Sequence, residues 1–386
     1  MLPLLEALFN GISIGAVLLI AALGLAIVFG LMGVINLAHG ELIMLGAYTT
    51  FVVQNVFKPL GEPLFGLYIL FALPVAFLVA GLVGLVLERG VIRFLYGRPL
   101  ETLLATWGVS LILRQFVRSV NWVLVAGIAV FCLLFFGGQW LLRRRTEDVR
   151  RWITAVLLVL CGAIATAVGV FLNQTNQAAI TRPWFSARNV DVTAPTWLRG
   201  GLPIGSFQLP YARLFIIVLT VVCVLGTYWF LNRSSWGLRI RSVTQNRSMS
   251  ACLGIPTAKV DALTFALGSG LAGIAGCAIS LLGSVGPNTG QNYIVDTFMV
   301  VVVGGVGNLV GTIIAALAIG ILNYLVGSGI LALLLTSAQG WQPVVDFLTF
   351  FATTSMAKVL IFALIIAFLQ IKPAGLFPQK GRGAEL

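Results

Sequence analysis

Long uninterrupted apolar runs recur along this sequence, and they restrict the fold more than any other feature. Several runs reach about 20 residues, the length at which a helix crosses a hydrocarbon core of about 30 Å. The runs are continuous rather than alternating in polarity, which indicates helices rather than barrel strands. Of the 386 residues, 59% are hydrophobic and 9% are charged. The sequence therefore predicts an all-α, polytopic transmembrane helical bundle.

The apolar runs predict about nine core spans plus an inserted two-helix hairpin, within a single transmembrane domain over residues 1–386. The predicted spans are 5–30, 32–54, 64–88, 100–118, 121–142, 152–172, 210–231, 259–283, 293–309, 311–327 and 356–371. The insertion covers about 121–182. Gly340, Pro343 and Asp346 interrupt the stretch 328–355, which we expect to form a partly embedded hairpin or an outer helix.

Basic residues predict the orientation of the chain. Lys and Arg number 24 against 12 Asp and Glu, and they gather in short clusters at 89–98, 143–151, 233–259 and 372–382. Cytoplasmic loops carry an excess of Lys and Arg, and with these eleven spans all four clusters fall on the inner side if the N-terminus is outside. We therefore expect the N-terminus outside, the C-terminus inside, an external loop at about 173–209 and a cytoplasmic loop at about 232–258. No basic domain is formed, so a nucleic-acid partner is not expected.

Small residues at four-residue spacing predict close helix packing. In the stretch 268–283, one row contains Ala272, Gly276 and Ser280, and a neighbouring row contains Ser269, Gly273 and Cys277. Such rows let membrane helices approach closely, so this helix is expected to pack on two sides. The sequence GGVG at 304–307 is expected to interrupt a further helix.

Several kinds of chemistry are missing from the sequence. No lysine is followed by Ser or Thr, so the chain has no Walker A motif for ATP. One histidine cannot form an HExxH motif, and the five cysteines show no CxxC spacing, so we interpret them as small core residues. We expect no catalytic residues, no metal site and no cofactor in this chain. An enzyme is poorly supported, and transport or conduction remains.

The segment GVINLAHGELIMLGAY (33–48) places Asn36, His39 and Glu41 within apolar sequence. A charged carboxylate at mid-bilayer costs about 3 kcal/mol on insertion scales, so such groups normally face a bundle interior or a water-filled path. On a helix Asn36 and His39 would share a face, and a break near Gly40 would expose backbone groups to a path. These residues, with Asp296, are candidates for a translocation path or gate. The alternative is structural: His39 and Glu41 tie two helices together near the cytoplasmic end, and Asp296 is stabilised near an external helix end.

The loop WGLRIRSVTQNRSMSACLGIPTAKV (236–260) predicts a short cytoplasmic helix. Thr244 or Asn246 would cap it, and Gly254 with Pro256 beyond would end it after Leu253. A short amphipathic helix between two spans, with Arg239, Arg241 and Arg247 nearby, is suited to docking a cytosolic partner, although a purely structural loop is the alternative. Because this chain lacks an ATP site, we infer that an energising subunit is carried on another polypeptide.

Four stretches together resemble a known family. They are GLAIVFGLMGVINLAHGELIMLGAY, WGLRIRSVTQNRSMSACLGIP with LTFALGSGLAGIAGC, MVVVVGGVGNLVGTIIAA and KPAGLFPQKGR. They resemble inner-membrane permeases of branched-chain amino acid ABC importers, and in detail the urea-type permease, the first of its two permease subunits. The likeness covers roughly 8–120 and 183–383, whereas 121–182 adds two helices where the family usually has a short external connection.

The resemblance implies a multi-pass protein of the bacterial inner membrane that works as one subunit of an importer. Its partners would be a second related permease subunit in a heterodimer, two cytosolic ATPase subunits and an external solute-binding protein. The helix 246–253 would be the coupling helix that contacts an ATPase. The residues expected at that contact are Arg241, Asn246, Arg247, Ser248, Met249, Ser250, Ala251, Cys252, Leu253 and Gly254.

The solute is the least determined part of the prediction. A small neutral solute needs a few hydrogen-bonding groups and no counter-ion, and the resemblance together with the scarcity of embedded charge favours urea. Branched-chain amino acids and short-chain amides stay open as alternatives. A stand-alone urea channel or secondary carrier is the alternative of another class.

Overall fold

The computed structural model describes residues 2–141, 147–174, 181–185, 188–204, 207–330, 333 and 342–377. Two compact units are formed. The first contains Met1–Ser110 and Val190–Leu386, and the second contains Leu111–Asn189.

Most of the described chain is helical, as predicted. The helices in chain order are α1 (Leu2–Met32), α2 (His39–Phe57), α3 (Tyr68–Gly90), α4 (Pro99–Ser119), α5 (Trp122–Leu141), α6 (Glu147–Gln174), α7 (Tyr211–Arg233), α8 (Ser235–Gln245), α9 (Arg247–Cys252), α10 (Thr257–Ser280), α11 (Thr289–Gly304), α12 (Leu309–Gly327), α13 (Gln342–Phe350) and α14 (Thr354–Ile371).

Among the described residues, five helical segments are long and apolar enough to cross a membrane. They are Leu4–Met32, Leu64–Phe94, Tyr211–Arg233, Thr257–Ser280 and Leu309–Gly327. Shorter apolar helices cover Trp122–Phe135, Val156–Leu172 and Ser355–Ile371. A polytopic helical membrane protein is therefore confirmed, while the count of about eleven spans and the orientation stay predictions.

The core of the first unit forms where α10 packs against α1, α2 and α3. A Cβ added to Gly276 would lie 2.6 Å from the amide nitrogen of Ala47 in α2. A Cβ added to Gly273 would lie 2.8 Å from the Cβ of Ala80 in α3. Because both backbones approach so closely, only glycine fits at these points. The predicted packing of this helix on two sides is confirmed.

Helix α1 is almost completely enclosed by its neighbours. Its middle turns, from Ala16 to Leu25, are nearly without solvent exposure and form the largest apolar cluster together with residues of α2, α7, α10, α11 and α12. A helix that is apolar all round must be buried or face lipid, and α1 is buried. The expected interruption at GGVG is also confirmed, because α11 ends at Gly304 and α12 begins at Leu309.

The predicted span 32–54 needs correction. α1 ends at Met32, Gly33 adopts a left-handed φ of +68°, and α2 begins only at His39. The break therefore precedes His39, and Gly40 lies inside the first turn of α2. Asn36 is outside any helix, so the expected shared helix face of Asn36 and His39 is wrong.

A small β-hairpin corrects the all-α expectation. Strands β1 (Gly201–Ile204) and β2 (Phe207–Pro210) pair antiparallel, with Gly201 opposite Pro210 and Ile204 opposite Phe207. The hairpin lies at the end of the predicted external loop, immediately before α7. An isolated antiparallel bridge joins Val190 to Val285.

The second unit contains α5 and α6, which pack against each other and correspond to the predicted inserted helices. The rings of Trp122 and Trp184 are 4.9 Å apart in an edge-on arrangement, and the amide of Trp184 donates to the carbonyl of Val120 at 2.9 Å. Residues 142–146 of the basic linker fall outside the described residues. Residues 331, 332 and 334–341 also fall outside the described residues. They belong to the predicted hairpin 328–355, of which α13 is a described part.

Candidate coupling and translocation elements

The loop predicted to be cytoplasmic, 232–258, folds into two helices rather than one. α8 begins after Ser234, whose side chain accepts a hydrogen bond from the amide of Gly237 at 2.9 Å. Gly237, Ile240 and Val243 are its buried residues. Sequence reasoning missed α8, although this three-residue spacing and the Ser cap were available as signals.

Helix α9 matches the predicted helix. The Oδ1 atom of Asn246 accepts from the amide of Met249 at 3.0 Å and from the Ser248 hydroxyl at 2.9 Å, so Asn246 is the N-cap. Gly254, at φ +79°, follows the last turn and ends the helix. Thr244 is not the cap, because it lies within α8 and donates to the carbonyl of Ile240.

Two exposed apolar side chains lie on α9 and directly after its last residue. Met249 is 59% exposed and Leu253 is 75% exposed, and the two residues stand four apart, one turn along the helix. Ser250 faces inward and is buried, whereas Ser248, Ala251 and Cys252 are exposed. Two exposed apolar side chains one turn apart can be laid into a groove of a partner.

Arg247, the first residue of α9, joins this helix to the bundle. Its Nη2 atom lies 2.6 Å from the Oδ2 atom of Asp261 in α10, and its guanidinium lies 5.1 Å from the centre of the Tyr96 ring. Asp261 is buried. An ion pair and a cation–π contact therefore hold the same side chain.

The Tyr96 hydroxyl extends this group of contacts to α3. It donates to Oε1 of Glu88 at 3.1 Å, and the Glu88 side chain is buried. Burial raises the pKa of Tyr96 well above its usual range, so the hydroxyl keeps its proton and acts as a donor. Arg247, Tyr96, Glu88 and Asp261 thus connect α9 with both α3 and α10. Sequence reasoning missed the last three residues.

Arg241 has a different place from the other predicted coupling residues. It lies on α8, and its Nη1 atom donates to Oδ1 of Asn232 at the end of α7, at 3.3 Å. Arg239 stacks on Trp236, 4.8 Å from the ring centre. These two arginines therefore support α8, while Asn246–Gly254 form the protruding element.

The polar residues of 33–48 tie α2 to two neighbouring helices. Nε2 of His39 lies 3.0 Å from the carbonyl oxygen of Ala21 in α1, and that carbonyl can only accept, so Nε2 carries the proton. Oε1 of Glu41 accepts from the Ser110 hydroxyl in α4 at 2.9 Å. Asn36 accepts from the amide of Ala38 at 3.0 Å and so supports the start of α2.

These three side chains are buried in this conformation, with exposures of 2% for Asn36, 0% for His39 and 1% for Glu41. The geometry favours the structural interpretation, in which each holds an element in place. A role in a path or gate stays a prediction. Thr106 of α4 adds to the same contact, because its Oγ1 atom accepts from the amide of Leu37 at 3.2 Å.

Asp296 pairs with a cation that sequence reasoning did not consider. Nζ of Lys358 in α14 lies 2.8 Å from Oδ2 of Asp296 in α11. α11 begins at Thr289, so Asp296 lies about two turns inside it rather than one as predicted. The ion pair accounts for the buried carboxylate without the helix dipole, and its part in a path stays a prediction.

No group of three or more His, Cys, Asp or Glu side chains that could hold a metal ion occurs among the described residues. The described cysteines are free thiols; Cys161, Cys223 and Cys277 are buried, and Cys252 is exposed.

Comparisons with known proteins agree on one family. The family described as "Branched-chain amino acid transport system / permease component" matches residues 7–369. The high-affinity branched-chain amino acid transport system permease protein LivH of Escherichia coli is 25% identical over 378 residues, covering 96% of this chain and 94% of LivH. BraD of Pseudomonas aeruginosa is 24% identical over 324 residues, covering 82% and 84%. A probable LivH of Methanocaldococcus jannaschii is 24% identical over 359 residues, covering 93% and 88%. No solved structure matches the chain.

Proposed function

The chain belongs to the family of branched-chain amino acid transport system permease components, and from this premise we propose that it is the membrane subunit of an ATP-driven importer of branched-chain amino acids. In this proposal the chain supplies part of the translocation path and carries no nucleotide site. The partners would be a second related permease subunit, two cytosolic ATPase subunits and an external solute-binding protein. The assembly would lie in the bacterial inner membrane.

One structural observation carries the proposal of ATP coupling. α9 exposes Met249 and Leu253 to the outside of the bundle, while Arg247 at its start is held by Asp261 within the bundle. A partner that binds Met249 and Leu253 could move α9. The ion pair between Arg247 and Asp261 would then pass that movement to α10. A helix laid by its apolar face into a partner's groove is a common mode of recognition.

The comparisons support a branched-chain amino acid as the solute better than the urea predicted from the sequence. The relatives LivH and BraD are named for branched-chain amino acids, and the likeness to LivH extends over nearly its whole length. We therefore propose a branched-chain amino acid as the solute and keep urea as the comparison solute in the experiment.

The buried residues Asn36, His39, Glu41 and Asp296 are proposed to position the helices beside the path rather than to line it. This follows from their burial and from the partners Ala21, Ser110 and Lys358.

The test is uptake into proteoliposomes that contain either this chain alone or the full transporter with its binding protein. We expect L-leucine uptake only with the full transporter and with internal ATP, and no comparable uptake of urea. Saturable L-leucine or urea flux through the chain alone would contradict the proposal and would favour a stand-alone channel or carrier. ATP-driven uptake of urea but not of leucine would show that urea is the solute.

A further inference from the structure

A cavity of about 310 Å³ lies where α2 ends and the connection to α3 begins. Its lining residues are Gln54, Lys58, Gly61, Glu62, Phe65, Thr193 and Arg199. α3 starts beside this cavity at Tyr68 and has Glu88, the partner of Tyr96, near its other end. Since a helix rises 1.5 Å per residue, the cavity and the α9 anchor are about 30 Å apart along α3. The cavity therefore opens at the end of the first unit opposite to α9.

The walls of the cavity are fixed by hydrogen bonds between two chain segments. The Tyr68 hydroxyl donates to the carbonyl of Thr193 at 2.8 Å, and Nε1 of Trp197 donates to the carbonyl of Gly66 at 2.6 Å. The Phe65 ring packs 5.3 Å from the Tyr68 ring, and Trp197 packs edge-on against Phe215. The segment 61–67 is thereby held against 193–199, so the cavity is formed by a defined structure.

A buried acceptor in this cavity lacks a partner. Gln54 is 4% exposed, and its amide nitrogen lies 3.4 Å from the carbonyl of Thr193. Its Oε1 atom has no hydrogen-bond donor among the described residues. A ligand that donates a hydrogen bond to this oxygen, once the amide turns toward the cavity, would supply the missing partner.

Charges of both signs line the same cavity. Lys58 and Glu62 form no ion pair with another described residue, and Arg199 uses its Nε atom to donate to the carbonyl of Ala194 at 2.8 Å. Two cations and one carboxylate are therefore directed to one space without neutralising each other. These three side chains are exposed to solvent. A zwitterion can pair with charges of both signs, whereas a neutral solute can form no ion pair with either.

We propose that this cavity binds an α-amino acid as a zwitterion. Its carboxylate would pair with Lys58 and Arg199, its ammonium group would pair with Glu62, and its apolar side chain would lie against Phe65. A turn of the Gln54 amide toward the cavity would let the ammonium group donate to Oε1 as well. This proposal rests on the proposed function, because the cavity would be the initial binding site of the transported amino acid.

The test measures equilibrium binding of labelled L-leucine to the full chain in lipid nanodiscs. We expect saturable binding that is weakened about tenfold, equivalent to about 1.4 kcal/mol, by Lys58→Gln and by Glu62→Gln. Two leucine analogues test the contribution of each charged group. 4-Methylpentanoate lacks the ammonium group, and 3-methylbutylamine lacks the carboxylate. Each should compete more weakly than leucine, and urea should not compete. Arg98→Gln, at an exposed position paired with Glu101, is the matched control and should leave binding unchanged.

Absence of leucine binding by the wild-type chain, or equal affinities in the wild type and both variants, would overturn the proposal. If the variants keep leucine affinity but lose co-purification of the solute-binding protein, the cavity is a docking contact and the proposal is equally wrong. The proposed function is judged separately, by ATP-driven leucine uptake through the wild-type transporter. That uptake can persist when the cavity proposal fails, so the two failures are distinguishable.

Discussion

Nη2 of Arg247 lies 2.6 Å from Oδ2 of Asp261, and this contact joins the first residue of a protruding loop helix to the helix that packs at the centre of the bundle. Arg247 is half exposed, whereas Asp261 has a side-chain exposure of 6%. α10, which carries Asp261, meets α1, α2 and α3 through close backbone contacts at its small residues. We therefore expect a displacement of α9 to be passed through α10 to these three helices.

Replacing Arg247 should uncouple ATP hydrolysis from transport. Arg247→Gln leaves the buried Asp261 carboxylate without its cation, which we expect to lower the stability of this region by on the order of 1–3 kcal/mol. The ATPase should still co-purify, because Met249 and Leu253 are unchanged, while leucine uptake per ATP hydrolysed falls. Arg239→Gln, which removes a stacking contact on α8, is the matched control. Unchanged uptake in Arg247→Gln would contradict the role of the anchor.

The exposed apolar face of α9 should be required for binding the ATPase. A carboxylate at position 253 would have to be desolvated in an apolar contact, so Leu253→Asp should strongly reduce ATPase co-purification. Leu253 is 75% exposed, and the thermal stability of the isolated chain should therefore change little. Leu202→Asp, at a 45% exposed residue of β1, serves as the control and should leave co-purification intact. Equal recovery of the ATPase in both variants would remove the assignment of α9.

The pair of Asp296 and Lys358 should hold α14 against α11. Lys358→Met leaves a carboxylate that is only 7% exposed without its counter-ion, and we expect the free energy of unfolding to fall by about 1–3 kcal/mol. The double variant Asp296→Asn with Lys358→Met should be less destabilised than the sum of the single variants, because no unpaired charge remains. Additive effects in a double-mutant cycle would show that the two residues do not interact.

Glu41 should act mainly as a tie between α2 and α4. Glu41→Gln keeps a side-chain oxygen that can accept from Ser110 but removes the charge, so we expect a loss of stability of about 1 kcal/mol. Ser110→Ala should have a similar effect, and the two losses should not add. Transport per folded molecule should be nearly unchanged. A severe loss of transport at full stability would instead support the gate interpretation.

The sequence predicted well those features that depend on local chemistry. Asn246 and Gly254 mark the two ends of α9 by capping rules. Gly273 and Gly276 indicate that neighbouring helices can approach the backbone of α10 closely. These signals lie within a few residues of the structure that they determine. The span pattern follows in the same way from runs of apolar residues.

The features that sequence reasoning missed depend on residues far apart in the chain. Asp296 and Lys358 are 62 positions apart, and no periodicity relates them. The same holds for Glu41 and Ser110, which are 69 positions apart. Glu88 and Asp261 lie in long apolar helices, so their connection through Tyr96 and Arg247 becomes visible only when those helices are packed. The break before His39 was misplaced because a single left-handed glycine, Gly33, determines where α1 stops.

The central claim is that α9 faces the cytosol and receives force from the ATPase, and labelling of Cys252 tests it most directly. This thiol is exposed on α9, whereas Cys161, Cys223 and Cys277 are buried. Cys132 is partly exposed, so the labelling is done in a Cys132→Ala background. There a membrane-impermeant maleimide should label Cys252 in inside-out vesicles but not in intact spheroplasts, bound ATPase should protect it, and Cys252→Ser should remove the label. Labelling of Cys252 from the outside of intact spheroplasts would contradict the account.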